Sequence, residues 1–528
     1  MIIRFLNNII RYWETLRHLK FIQIRYQLFY LFRRKLGWKA TLKAPQKMIS
    51  TQKIKLQHSI PSYTTYLGKN YFSFLNIEQH FGEKIDWNYA KNGKLWAYNL
   101  NYFEYLLQPD FDKEVGLILI HDFIKSEAIL KDGLEPFPIS LRSIFWIKFL
   151  TKNEIKDAKI DSFLYTQLEL LTRQLEFHLM GNHLLENGFA LLFAAYYFKE
   201  KAFFNIAKTI LFKQLEEQIL DDGAHFELSP MYHQLMLFRA LDAVNLLMNN
   251  SNIFESQLLS FLKEKATQMM GWLVAMQFAN GTLPNLNDST IGIAPNATNL
   301  LKYGEELGLV LRKNQLKSSG YRKISTKTYE IIVDISDIGP DYIPGHAHSD
   351  MMNFVLHHQE KPLLVDTGIS TYEKNAKRQS ERSTAAHNTV KVREEEQSDI
   401  WGSFRVGYRA KITHLNEGEG FLKATYNGHS YFKISHTRTF EFSEKSIHII
   451  DELQDKQWGR AYFHFHPNII LNVDEYSVSG EFGKLVFENS KQISLEKFDY
   501  ATGFNLTEPA TVAVVYFNKI LHTRIHLK

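Results

Sequence analysis

The chain has 528 residues, of which 45% are hydrophobic, 14% aromatic and 23% charged. That is the composition of a well-packed protein of two to four domains, and it argues against disorder. The net charge of +5 is spread without the dense basic blocks of a nucleic-acid binder, and suits an anionic ligand. The absence of cysteine excludes disulfides, thiolate zinc sites, iron–sulfur clusters and a cysteine nucleophile.

Residues 1–60 read as an amphipathic helical extension. Arg4 is followed by an apolar run that breaks at Asn7, Asn8 and Arg11, with no cleavage-site pattern after it. No signal peptide is recognised, so a cytoplasmic location is expected, or a periplasmic one if the start is misassigned. Apolar and aromatic residues alternate with Arg and Lys at helical period. The extension is expected to dock on its own domain, or to make peripheral contact with a membrane surface or partner.

The next cluster, KLWAYNLNYFEYL, sets Trp96, Tyr98 and Tyr102 around Asn99 and Asn101. Aromatic faces stack on sugar rings and amides bond hydroxyls, so this is a candidate glycan subsite; a helical core stripe explains the aromatics equally well. PFPISLRSIFW offers Arg142 as a cation for an anionic sugar. From about 117 to 311 the apolar period predicts helices over 117–129, 140–151, 161–179, 183–199, 202–219, 231–248 and 256–277. Their lengths and short connections suit antiparallel hairpins.

Two polar clusters interrupt these helices. MGNHLLENG places Asn182 and His183 at a helix start, with Glu186 and Asn187 four residues on; an N-cap role for Asn182 is the competing reading. DDGAHFELSPMYHQ crowds His225, Glu227, Tyr232 and His233 into a loop before a helix. Several such loops in one chain argue for a site.

At KSSGYRKISTK the pattern changes, and Tyr329, Ile331, Val333 and Ile335 then alternate as a half-buried strand should. Residue 320 is therefore taken as the boundary between a helical domain, 61–320, and an antiparallel sheet domain, 321–528. Further strands are expected in FVLHHQ against PLLVDTG, HNTVKV, YRAKITHL, HTRTFEF, SIHIIDE and AYFHFHP. In PGHAHSD, extended backbone would send His346 and His348 to one side. The hairpin could bring Asp366 beside His348, and His387 could add a third ligand. Imidazoles and a carboxylate are a plausible zinc set, against histidines that are simply hydrogen-bonded.

Taken together, WAYNLNYFEYL, GNHLLEN, FELSPMYH, GHAHSD, LLVDTGISTY and RSTAAHNTV resemble the heparinase II/III-like polysaccharide lyases, in order from Trp96 to Arg438. The resemblance implies an N-terminal (α/α) toroid, a C-terminal antiparallel β-sandwich and an active site between them. It implies β-elimination on a uronic-acid-containing acidic polysaccharide. Asn182, with His183, would contact the substrate carboxylate, Tyr232 and His346 would serve as acid and base, and His348, Asp366 and His387 would hold a structural zinc. Trp96, Tyr98, Asn99, Tyr102, Arg142, Glu186, Asn187 and His225 are the expected substrate-binding residues. Two rivals remain at this point: a non-catalytic glycan-binding protein on the same fold, and a glycoside hydrolase using Glu227 with a second carboxylate.

Overall fold

The structure is a computed structural model that describes the chain except Met1, 38–40, 44, 46–48, 58, 255–256, 429–433 and 455–456; for 2–8 only the backbone is described. Two short helices, α1 (Ile2–Leu16) and α2 (Phe21–Lys35), come first. A three-stranded meander over Tyr66–Gly68, Tyr71–Phe74 and Ile77–His80 follows them.

The helical domain then runs through α3 (Lys94–Tyr102), α4 (Lys113–Lys125), α5 (Pro136–Lys152), α6 (Ala158–Thr172), α7 (Gly181–Phe198), α8 (Lys201–Gln218), α9 (Pro230–Asn249), α10 (Leu258–Met276) and α11 (Ala297–Glu306). Local chemistry sets several starts. Asp112, Asp157, Ser229 and Asn296 accept backbone N–H bonds at the heads of α4, α6, α9 and α11, and Pro230 stands in the first turn of α9. The helices form the hairpins of an (α/α) toroid. One face of α7 gives Leu185, Phe189, Leu192 and Tyr196 to the core, all at most 1% exposed.

The first sheet strand, Tyr321–Ser325, follows Gly320, whose φ of 80° and contact with Ser336 leave no room for a side chain. From there the chain forms a 14-stranded antiparallel sheet curled around its own core. Phe354–His358 and Lys361–Leu364 make the expected hairpin; Gln359 and Glu360, both at positive φ, close it with the twist that two-residue hairpin turns favour. Val390–Val392, Lys411–Gly418, Ser435–Phe442, Ser446–Leu453 and Trp458–Phe465 also form where the alternation predicts them, and Phe421–Asn427 adds a strand between them. The long strand Leu506–Leu527 pairs with three neighbours, Ser446–Leu453, Trp458–Phe465 and Gly483–Gly503, and thereby ties the two layers of the sandwich together. A short helix, α12 (Ala376–Glu381), lies between strands of this domain.

The two domains share an apolar seam in which Trp272 and Met276 of α10 and Leu228 pack with Tyr321, Ile332 and Val355 of the sheet. The buried Tyr321 hydroxyl donates to the Leu228 carbonyl at 2.6 Å. This seam fixes the loop at the head of α9 against the sheet.

Candidate active site

Two helix starts and one sheet-domain loop converge at the domain junction. Gly181, at φ 54°, opens α7; a Cβ there would lie 2.7 Å from Glu227 Oε1, so glycine lets the Glu227 carboxylate sit on the helix start. Asn182 is not the N-cap. It is the second residue of α7, after Met180 at the capping position, and its backbone and side-chain N–H groups both donate to Glu227, at 3.3 and 3.1 Å. Tyr232 stands in the first turn of α9. The positive ends of both helices therefore point toward the same space.

His346 enters from the other domain. The extended strand expected for 346–348 is absent; the segment is a loop, and what aligns the two imidazoles is a shared carboxylate, Asp288. His346 Nδ1 donates to Asp288 Oδ2 at 2.8 Å and His348 Nε2 to Oδ1 at 2.9 Å. Arg378 of α12 donates to both oxygens at 2.5 and 2.7 Å. Burial would push the Asp288 carboxyl up, but the Arg378 charge and these hydrogen bonds hold it well below the usual carboxylate range. Because an ionised carboxylate only accepts, His346 Nδ1 is the donor to Asp288, and in the neutral ring the lone pair is on Nε2, 3.5 Å from Asn182 Nδ2 and 3.8 Å from Glu227 Oε2.

The Tyr232 ring lies on His346, with centroids 3.9 Å apart. Its hydroxyl is 3.3 Å from that of Tyr372, and burial pushes both phenols up, so they hold their protons. Asn182, Tyr232 and Tyr372 line a cavity of about 180 Å³ that continues over Asn99, Tyr102, Glu104 and the Glu186–Arg239 pair.

The other expected site residues divide into those near this cavity and those spent on structure. His183 follows Asn182, packs on Phe137 of the cavity wall, and donates Nδ1–H to Glu176 at 3.0 Å. Burial lowers its pKa, yet the Glu176 charge outweighs this and raises it. Asn99, Tyr102 and Glu186 line the cavity. Five residues are not brought to it. Trp96 is a core residue bonded to the Ile77 carbonyl, and Tyr98 is engaged by Glu135. Arg142 is fully buried, with its guanidinium spent on Gln167 and the carbonyls of Asn101 and Gly133, so it offers no cation to a ligand. Asn187 braces Glu176 against Ser140. His225 is buried beside Gln218, and burial lowers its pKa to about 4.

For the zinc set, no group of three or more His, Asp or Glu side chains among the described residues stands ready to close around a metal ion. The two histidines nonetheless carry the donor chemistry for one. His348 Nδ1 and His387 Nε2 are buried without hydrogen-bond partners, on rings 5.2 Å apart. Asp366 accepts from His387 Nδ1 at 2.8 Å, and Asp288 backs His348 as a carboxylate behind a ligating imidazole would.

Sequence reasoning missed Asp288, Arg378, Tyr372 and Arg239 as site residues. The polar run NLNDST carried a signal for Asp288, while Arg378 sits in a helix of six residues with no motif around it.

A helical toroid joined to an antiparallel sandwich, with polar residues of both meeting at the junction, defines the class of protein. Residues 138–305 match the heparinase II/III N-terminus and residues 310–524 the heparinase II/III-like C-terminal region. The chain belongs to the heparinase II/III-like family. It is 23% identical over 325 residues to the heparin-sulfate lyase of Bacteroides stercoris, a match covering 54% of this chain and 45% of that relative, so it spans under half of the relative's length. A crystal structure of heparinase III superposes with a TM-score of 0.66 at 14% identity, over 97% of this chain and 92% of the other. The heparan sulfate lyase of Pedobacter heparinus gives 0.54 at 15% identity, over 87% and 81%.

Proposed function

We propose that this protein is a polysaccharide lyase that cleaves a uronic-acid-containing acidic polysaccharide by β-elimination. The observation that carries the reading is the packing of Tyr232 on His346, with the Asn182 amide beside Nε2, where Tyr232 and Asn182 line one cavity. Removing the C5 proton of a uronate builds negative charge on its carboxylate. Asn182, whose amide turns from Glu227 to do so, is the donor we assign to that charge, with His183 behind it. The free lone pair of His346 Nε2 suits it to take the C5 proton, and the protonated Tyr232 suits it to give one to the departing O4. The C4–O4 bond breaks, a C4–C5 double bond forms, and no water is consumed.

His348, Asp366 and His387 would hold zinc. Bound there, the ion would supply a cross-link between the loop bearing His346 and the sheet. The substrate, by analogy with the heparin- and heparan-sulfate-cleaving relatives, is a glycosaminoglycan or a similar uronide.

The test follows near-ultraviolet absorbance while the protein is incubated with heparan sulfate, alginate and other acidic polysaccharides. A rise, reduced roughly 10²- to 10⁴-fold by Tyr232→Phe, is expected from an unsaturated uronide made with acid–base assistance. Chain shortening without absorbance would mean hydrolysis. Binding without either would mean a glycan-binding protein.

A further inference from the structure

The first two helices present the wrong face outward. A surface helix ordinarily buries its apolar stripe and exposes its polar one. α2 docks instead through polar atoms and two tyrosine rings, Tyr26 on Phe177 and Tyr30 on His178. Gln23, 2% exposed, donates to the carbonyls of Leu179 and Tyr342, Tyr30 donates to that of Leu175, and Arg33 to that of Arg173. Its outward face carries Phe21 at 80% exposure, Ile24, Leu28, Phe29 at 50%, Phe32 at 63% and Leu36. α1 continues the surface with Trp13, 64% exposed, while Arg11 holds Asp399 and Tyr12 packs on Trp401. The two helices are thus bolted to both domains, and these apolar side chains are left facing away from the protein.

The charge around that side selects the occupant. Residues 1–60 contain 13 Lys and Arg against a single acidic residue, Glu14. Arg25, Arg34 and Lys35 are exposed beside the apolar residues. A second copy of this chain seated there would set one basic rim against another with almost no acid to pair it. An anionic bilayer supplies both what the hydrocarbon side chains and what the basic rim require. A 15-residue helix is about 22 Å long, too short to span, and no helix among the described residues is long and apolar enough to cross a membrane. We infer that α1 and α2 form a peripheral anchor that lies in the headgroup plane of an anionic phospholipid membrane.

The anchor is also mechanically close to the site. α1 bonds the strand Ile400–Trp401, Lys20 of the α1–α2 turn bonds Glu217, and Tyr342, which accepts Gln23, bonds Glu217 as well. Membrane association would therefore hold the cavity at a fixed height above the bilayer, suited to polymer emerging from or lying along it.

Flotation of the full chain with vesicles tests this. Vesicles of phosphatidylcholine mixed with phosphatidylglycerol should carry the protein upward, and vesicles of phosphatidylcholine alone should carry far less. Phe29→Glu with Phe32→Glu should abolish flotation without altering the thermal melt, since both side chains are exposed. Arg34→Ala with Lys35→Ala should lower partitioning about 25-fold, roughly fivefold for each cation removed near the surface. Failure to float with either vesicle, or equal flotation with both, overturns the inference. So does a dimer in sedimentation velocity that the Phe29/Phe32 variant dissolves while vesicles go unbound, which would make the surface a self-contact.

Discussion

Asp288→Asn is the substitution that asks most of the proposed site. Four donors share its two oxygens: Oδ2 takes His346 and one Arg378 nitrogen, and Oδ1 takes His348 and the other. The amide keeps the shape and loses one acceptor and the charge. With its NH2 toward His346, the imidazole must move its proton to Nε2 and loses the lone pair that faces Asn182. A catalytic histidine held in the wrong tautomer costs roughly 10³- to 10⁴-fold in turnover. In either orientation Arg378, whose side chain is 1% exposed, keeps a buried charge without its counter-charge. Breaking one side of such a pair costs about 3 to 5 kcal/mol, and the surviving carbonyl oxygen places this variant near the lower end. Asp288 does not line the cavity, so KM should stay within a few-fold of wild type while kcat falls about 10³-fold. Initial rates by ultraviolet absorbance, denaturant unfolding and metal content would be measured on one preparation. Turnover near wild type in a destabilised variant would refute the reasoning and leave Asp288 a structural counter-ion.

Metal analysis of the purified protein should find about one zinc per chain, and His348→Ala or His387→Ala should lose it together with thermal stability and activity; a folded, fully active, metal-free variant would contradict the zinc set. Acid should destabilise the fold through two buried histidines that are not among the proposed zinc ligands. Burial lowers His225 to about 4 and His233 to about 3, below the unfolded value near 6.5. The unfolded chain then binds more protons, so their contribution is fully present above pH 6.5 and is lost as pH falls toward 4 and then 3. At about 1.4 kcal/mol per pH unit the loss is roughly 3 to 5 kcal/mol for each group. Replacing His233 by Gln should flatten the pH dependence of unfolding over that window; an unchanged slope would argue against it.

The periodicities determined most of the architecture. Apolar residues at helical spacing marked α4 to α10, and alternation marked the hairpin at Phe354–Leu364 and the strands that follow, because burial on one face writes itself into sequence at period 3.6 or 2. The small meander over 66–80 and the short α12 left no comparable trace, being too brief to show a period.

The convergence of the candidate site was legible where its residues cluster along the chain, as in GNHLLEN, SPMYH and GHAHSD. It was misread where residue type alone was the guide. Arg142, Trp96, Asn187 and His225 have the chemistry of ligand contacts, but the helical core had already claimed their polar atoms. Sequence could propose that His346 and His348 point the same way; only the folded chain supplies the reason. Asp288 and Arg378 lie 90 residues apart and meet because the loop after α10 and the helix α12 are pressed together at the domain seam. A pattern along the chain reports which face of an element is buried, whereas which buried groups are brought together is set by the packing of elements distant in sequence, and at this junction that packing fixes the histidine's proton.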